Sequence, residues 1–160
     1  MAKAATKMRA RRTPARKSAA RSRPKPAAAP KRRLHKFLVN HLNPKDFKSD
    51  GLRDYAFYRD LGVKDATHGM AVAHVIKLKG PCDPNVVSKL HLHEAEFQMI
   101  YVLKGQITGH FDGHGVHTMK TGDAWLQPQS IKHKVLDYSD DCELLEIVMP
   151  GDFKTVELEK

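Results

Sequence analysis

The chain has 160 residues, with 28 Lys and Arg, 18 Asp and Glu and two cysteines, a length that suits one domain able to bury roughly two thirds of the surface its unfolded chain exposes. Cys82 and Cys142 show no CxxC spacing, which argues against a zinc ribbon or a dithiol redox centre and for a reducing, cytoplasmic setting. No apolar stretch approaches the ~18 residues of a membrane span and the N-terminus lacks the compact apolar segment of a secretory signal, so a soluble protein with no membrane partner is expected.

The formal charge of +10 is placed unevenly: residues 1–33 hold 13 Lys and Arg and no acid, which leaves 15 bases against 18 acids for residues 34–160. The stretch "MAKAATKMRARRTPARKSAARSRPKPAAAPKRR" has too few bulky apolar side chains to offset the entropy of ordering, and it reads as a disordered tail. Its bases suit nonspecific contact with nucleic acid or anionic membranes by phosphate neutralisation. No aromatic residue is interleaved to stack on bases, so a solubilising extension is the competing reading. The prolines work against an organelle transit helix.

Leu34, Phe37, Leu38, His41 and Leu42 recur at helical spacing, and Asn43-Pro44 is a plausible stop. This predicts a short amphipathic helix opening a lead-in segment, residues 34–68, that packs on the domain proper at 69–160. From Gly69 onward the runs "MAVAHVIKL", "FQMIYVL", "QITGHF", "GVHTMK", "AWLQP", "HKVLDY" and "ELLEIVM" are separated by Gly, Pro and Asp. Many short strands with frequent turn residues indicate an all-β sandwich or barrel rather than βαβ units. In "HFDGHGVH", a two-residue Gly113-His114 turn pairs Phe111 with Val116 and His110 with His117, two surface imidazoles on one face. His74 shares a strand face with Ile76 and Leu78 and reads as a hydrogen-bonded core histidine or a pocket liner.

The chemistry concentrates in "KLHLHEAEFQMIYVLKG", residues 89–105. On a strand, His91 and His93 share a face because side chains alternate. Gln98 then opens a run in which Ile100 and Val102 lie on its side. Downstream, "GDAWLQPQSIKHKVLDY" offers His133 as a third imidazole. Asp137 follows four residues later, at even strand spacing. It is a candidate proton shuttle, or an acceptor that orients a ligand imidazole. Glu94 and Glu96 read as solvated loop carboxylates, and Tyr101 and Trp125 as packing residues.

These two segments resemble the paired motifs of the cupin superfamily. The first motif is matched by His91, His93, Gln98 and Gly105, the second by Gly122, Pro128, Ser130, His133 and Asp137. Four positions depart from the pattern: Asn85 and Ser130 stand where glycine is expected, Gln98 where glutamate is, and Asp137 where asparagine is. A narrower resemblance to short bacterial cupins rests on "YRDLG", "AHVIK", "FQMIYVLKG" and "SDDCELLEI"; it implies a fold and no particular reaction.

The resemblance implies a double-stranded β-helix, or jelly-roll barrel, preceded by the short helix and the tail. It implies one divalent transition ion (Fe, Mn, Ni, Zn or Cu) held by His91, His93, Gln98 and His133, and a homodimer. Some sugar-acid cupins that linearise unsaturated uronates also carry glutamine at the fourth position. With only neutral donors the ion keeps its double charge, which suits isomerisation, hydration or elimination on a small oxygen-rich substrate over chemistry that demands an electron-rich iron; oxygen-dependent cleavage at a three-histidine ferrous site is the other reading. The alternative is a noncatalytic barrel that senses a small ligand, with the tail touching nucleic acid; residues 1–68 hold no helix-turn-helix pattern of the kind cupin regulators use.

Overall fold

The computed structural model describes residues 33–158. The basic tail read over residues 1–33 therefore lies, apart from Arg33, outside the described residues. The elements run as a 3-10 turn Pro44–Asp46, β1 Ala56–Asp60, α1 Val63–Ala66, β2 Val72–Leu78, α2 Pro84–Val87, β3 His91–Glu94, β4 Phe97–Lys104, β5 Gln106–Phe111, β6 Gly115–Lys120, β7 Ala124–Leu126, β8 His133–Tyr138, β9 Glu143–Met149 and β10 Lys154–Glu157. Two five-stranded sheets form, in the orders β1-β2-β9-β4-β7 and β10-β3-β8-β5-β6, and their strand pairs are antiparallel. This is the expected all-β, double-sheet jelly roll.

The apolar core sits between the sheets. Ile76 and Leu78 of β2, Ile100 and Val102 of β4, Leu144 of β9, and Ile107 and Phe111 of β5 are buried together with Met119 and Tyr138. Period-two alternation assigns these faces: in β4 Gln98, Ile100 and Val102 are buried, while Tyr101 is exposed. Gly105 turns the chain from β4 into β5 at φ +70°, and a Cβ there would collide with the Ser139 hydroxyl. Glycine is required on both counts.

Four expectations are corrected. Residues 34–42 form no helix: Leu34 and Phe37 are exposed, at 91% and 93%. The stretch is tied down by single bonds instead, the Lys36 N–H donating to the Ala66 carbonyl and Arg59 to the Asn40 side chain. Nine residues are too few to hold a helix without an apolar partner for its stripe. Next, the lead-in contributes β1, the edge strand of the first sheet, so the sheet begins upstream of residue 69.

The β5-β6 hairpin turns through Asp112, Gly113 and His114, and the register is Phe111 to Gly115, His110 to Val116 and Gly109 to His117. With Gly113 and Gly115 both at positive φ, the longer loop shifts pairing by one residue and sends His110 and His117 to opposite faces. Finally, a bulge between Thr108 and Gly109 lets Thr108 face Asp137 and Gly109 face Val135. It breaks the alternation counted from His133, so that Tyr138 is buried and Asp137 exposed.

Candidate metal centre

β3 and β8 meet at one residue pair, His91 opposite His133, which brings their ring centroids to 4.2 Å. His93, two residues along the same face of β3, lies 5.1 Å from each. One ring nitrogen from each of the three falls within 4.8 Å of the others, and all three residues are buried.

Hydrogen bonds set the tautomers. His91 Nδ1 lies 2.8 Å from the Lys89 carbonyl and His133 Nδ1 lies 2.9 Å from that of Ile131. A carbonyl only accepts, so both Nδ1 atoms carry the proton and both Nε2 atoms keep a lone pair. His93 Nδ1 is held at 2.8 Å by the Thr155 hydroxyl of β10, which leaves its Nε2 as the remaining ligand atom. Orienting each imidazole through its second nitrogen is how metal-binding histidines are supported.

Burial also keeps these rings neutral. It pushes His91 down to about 3, helped by neighbouring His133. His93 falls to about 4, because burial and the nearby imidazole outweigh the pull of Glu146, and burial lowers His133 as well. Neutral imidazole is the form a metal ion needs.

The opposite wall carries amides and an acid. Gln98 Nε2 donates to Glu146 Oε1 at 2.8 Å, and Gln98 Oε1 accepts from Gln127 Nε2 at 2.8 Å. A carboxylate offers no proton, so the Gln98 amide must turn its NH2 to Glu146 and its oxygen away. Gln127 Nε2 also reaches His133 Nε2 at 3.0 Å, linking the two walls. Burial pushes the Glu146 carboxyl up, but facing His74, the Gln98 amide and His93 hold it below the ordinary carboxylate range. His74 Nδ1 stands 3.9 Å from Glu146 Oε2, an ion-pair distance rather than a hydrogen bond.

These groups line a cavity of about 660 Å³, together with Tyr58, Trp125 and Phe153. The structure thus brings His91, His93, His133 and Gln98 to one place. It does not bring Asp137, which is outside the cavity lining. Glu94 and Glu96 are exposed. His74 lines the cavity, while Trp125 is half-buried against the core. Sequence reasoning missed Glu146 and Gln127. The signal for Glu146 was an acid centred on the inward face formed by Leu144 and Val148 in β9.

The family model described as "Cupin domain" matches residues 82–148. The matched span runs from just before α2 to β9 and includes all four candidate ligands. Among solved structures it is similar to KdgF from Halomonas sp. at 18% identity and a TM-score of 0.55, covering 70% of this chain and 94% of that one. The polyketide cyclase RemF from Streptomyces resistomycificus matches at 18% identity and a TM-score of 0.58, over 77% of this chain and 87% of that one. Oxalate decarboxylase from Bacillus subtilis matches at 18% identity and a TM-score of 0.56, over 78% of this chain and only 34% of that one. At such identity the likeness is one of fold. No curated protein matches the sequence. Among the described residues no helix is long and apolar enough to cross a membrane.

The site fits a divalent ion by the chemistry of its donors. Three buried imidazoles, two with tautomers fixed by backbone carbonyls, offer nitrogen lone pairs at one point, and an amide oxygen lies on the facing wall.

Proposed function

We propose that this cupin is a metal-dependent enzyme in which His91, His93 and His133, with Gln98 as the fourth donor, hold one divalent transition ion. In the cavity beside them a small oxygen-rich molecule, such as a sugar acid, hydroxy acid or diketone, undergoes isomerase, lyase or dioxygenase chemistry. The observation that carries the reading is the set of three oriented, neutral imidazoles opening onto a 660 Å³ cavity. The names of two fold relatives, a polyketide cyclase and an oxalate decarboxylase, support an enzyme over a sensing module.

When bound, the ion supplies Lewis acidity toward substrate oxygens. The chain's own residues do the rest. Lys89, Ile131 and Thr155 fix the imidazoles, Glu146 fixes the Gln98 amide, and Gln127 leaves the His133 lone pair when that nitrogen becomes a ligand. The surrounding apolar side chains limit water.

Elemental analysis of purified wild type beside a His91→Ala/His133→Ala double variant tests the site. About one ion per chain is expected in wild type and almost none in the variant; equally low contents in both would sink the metal reading. Metal-dependent screening of uronates, diketones and hydroxy acids then tests turnover. A loaded protein that converts none of them points to ligand binding instead.

A further inference from the structure

Arg53 lies between the 3-10 turn and β1 and lines the same cavity as His91, His93 and His133. Its Nη1 donates to Glu157 Oε1 at 2.6 Å. Its Nη2 is buried, with no hydrogen-bond partner among the described residues, in a side chain 13% exposed. A guanidinium does not give up its proton in a protein. A buried, charged N–H edge without an acceptor is therefore costly to keep, unless an anion receives it during function.

We infer that Arg53 is the anion anchor of this cavity, its open Nη2 edge receiving a carboxylate oxygen, so that the ligand class is the small monocarboxylate. The inference deepens the proposed reading of the cavity as a substrate site and rests on it. Arg53 and the three imidazoles line one cavity, so a single ligand in it faces both.

Charge balance selects among anions. The cavity lining carries the cations Lys48, Arg53 and Lys134. Against them stand the acids Asp46, Asp50, Asp60 and Glu146. Glu157, bonded to Arg53, belongs to the same set, so a divalent ion at the histidines brings it to neutrality; a monocarboxylate then leaves one negative charge and a phosphate dianion two, which favours the smaller charge. Ile76, Leu78, Ile107 and Val135 supply an apolar floor for the hydrocarbon part.

The test measures lactate, lactamide and inorganic phosphate binding by equilibrium NMR titration. Wild type, Arg53→Gln and Glu157→Gln are each studied zinc-loaded and after chelation, with zinc content and melting curves in parallel. Wild type should prefer lactate over lactamide by ~10-fold or more, the scale of one charge-assisted hydrogen bond. Arg53→Gln should lose that preference with its zinc content intact, while Glu157→Gln, which keeps the guanidinium, should retain it. The anchor is overturned if the preference survives in Arg53→Gln, if both variants lose it equally, if wild type has none, or if phosphate binds more tightly than lactate. Wild type that takes up almost no zinc yet shows an Arg53-dependent preference sinks the metal reading and leaves the anchor standing.

Discussion

The two sheets present different chemistry to one cavity. β3 and β8 of the second sheet bring three neutral imidazoles, while β4, β9 and β2 of the first bring Gln98, Glu146 and His74. On the imidazole wall each ring is held by a neighbour outside the cavity, either a backbone carbonyl or Thr155. On the acid wall the groups hold one another, Gln98 bonded to Glu146 and Glu146 facing His74. That contrast explains the glutamine where the cupin pattern expects glutamate. A carboxylate already stands 2.8 Å from the residue 98 side chain, and a second one there would face it in a buried site.

The largest expected effect separates the walls by pH. An imidazole whose folded pKa is depressed stabilises the fold only while neutral, so its contribution is intact above the unfolded value of ~6.5. As pH falls from there toward the folded values of about 4 for His93 and 3 for His91, the unfolded chain takes up protons first and that stability is lost. Glu146 is also depressed, but from a lower starting point, so its contribution fails only below ~4.3. Metal-free protein should therefore lose melting temperature from about pH 6.5 downward, before carboxylates titrate. A flat melting temperature between pH 7 and 5 would show that the imidazole wall is not buried as described.

The next effect strikes the acid wall alone. Gln98→Glu should destabilise metal-free protein by ~2–3 kcal/mol, because one of two facing carboxylates must be protonated or left unpaired. The exchange Gln98→Glu/Glu146→Gln restores one carboxylate and one amide, and most of that loss should return. Urea unfolding of wild type and the two variants at pH 7.5 checks this. If the single and double variants are equally unstable, the pairing across β4 and β9 is not what selects glutamine.

The same contrast marks what the sequence made legible. His91 and His93 were visible because strand alternation is local, and Gly105 because a left-handed turn needs glycine. Gln98, Ile100 and Val102 share a face, as their spacing indicates. Glu146 was not visible because it joins Gln98 only through the pairing of β4 with β9, 48 residues apart. Asp137 was misplaced because a bulge, which spacing does not announce, resets the faces of β8. The strands β1 and β10 are short and end at charged residues, so their apolar alternation is too brief to stand out.

A smaller effect probes the support of the imidazole wall. Thr155 is the side chain that holds His93 Nδ1, while the Nδ1 atoms of His91 and His133 lie against backbone carbonyls beyond the reach of mutation. Thr155→Val keeps the shape and removes the hydroxyl. Zinc affinity by chelator competition should fall ~10-fold, the low end for outer partners of metal-bound histidine. Unchanged affinity would mean that packing against Phe153, at a 5.5 Å centroid distance, orients His93 without the hydroxyl.

The smallest effect concerns the loop that delivers His133. Ser130 stands where the cupin pattern expects glycine, yet its φ is +55°, the left-handed region that a Cβ disfavours by ~1–2 kcal/mol. Glycine would remove that cost but would also loosen the unfolded chain, returning ~0.4–1 kcal/mol of it. Ser130→Gly should thus stabilise by ~0.5–1 kcal/mol, a rise of about 2–5 °C in melting temperature. Since Ser130 is exposed and the His133 ring is fixed by the Ile131 carbonyl and Gln127, zinc affinity should not change. A lower melting temperature would show that the serine side chain holds the turn; weakened zinc binding would show that the loop sets the position of His133 as well as its path.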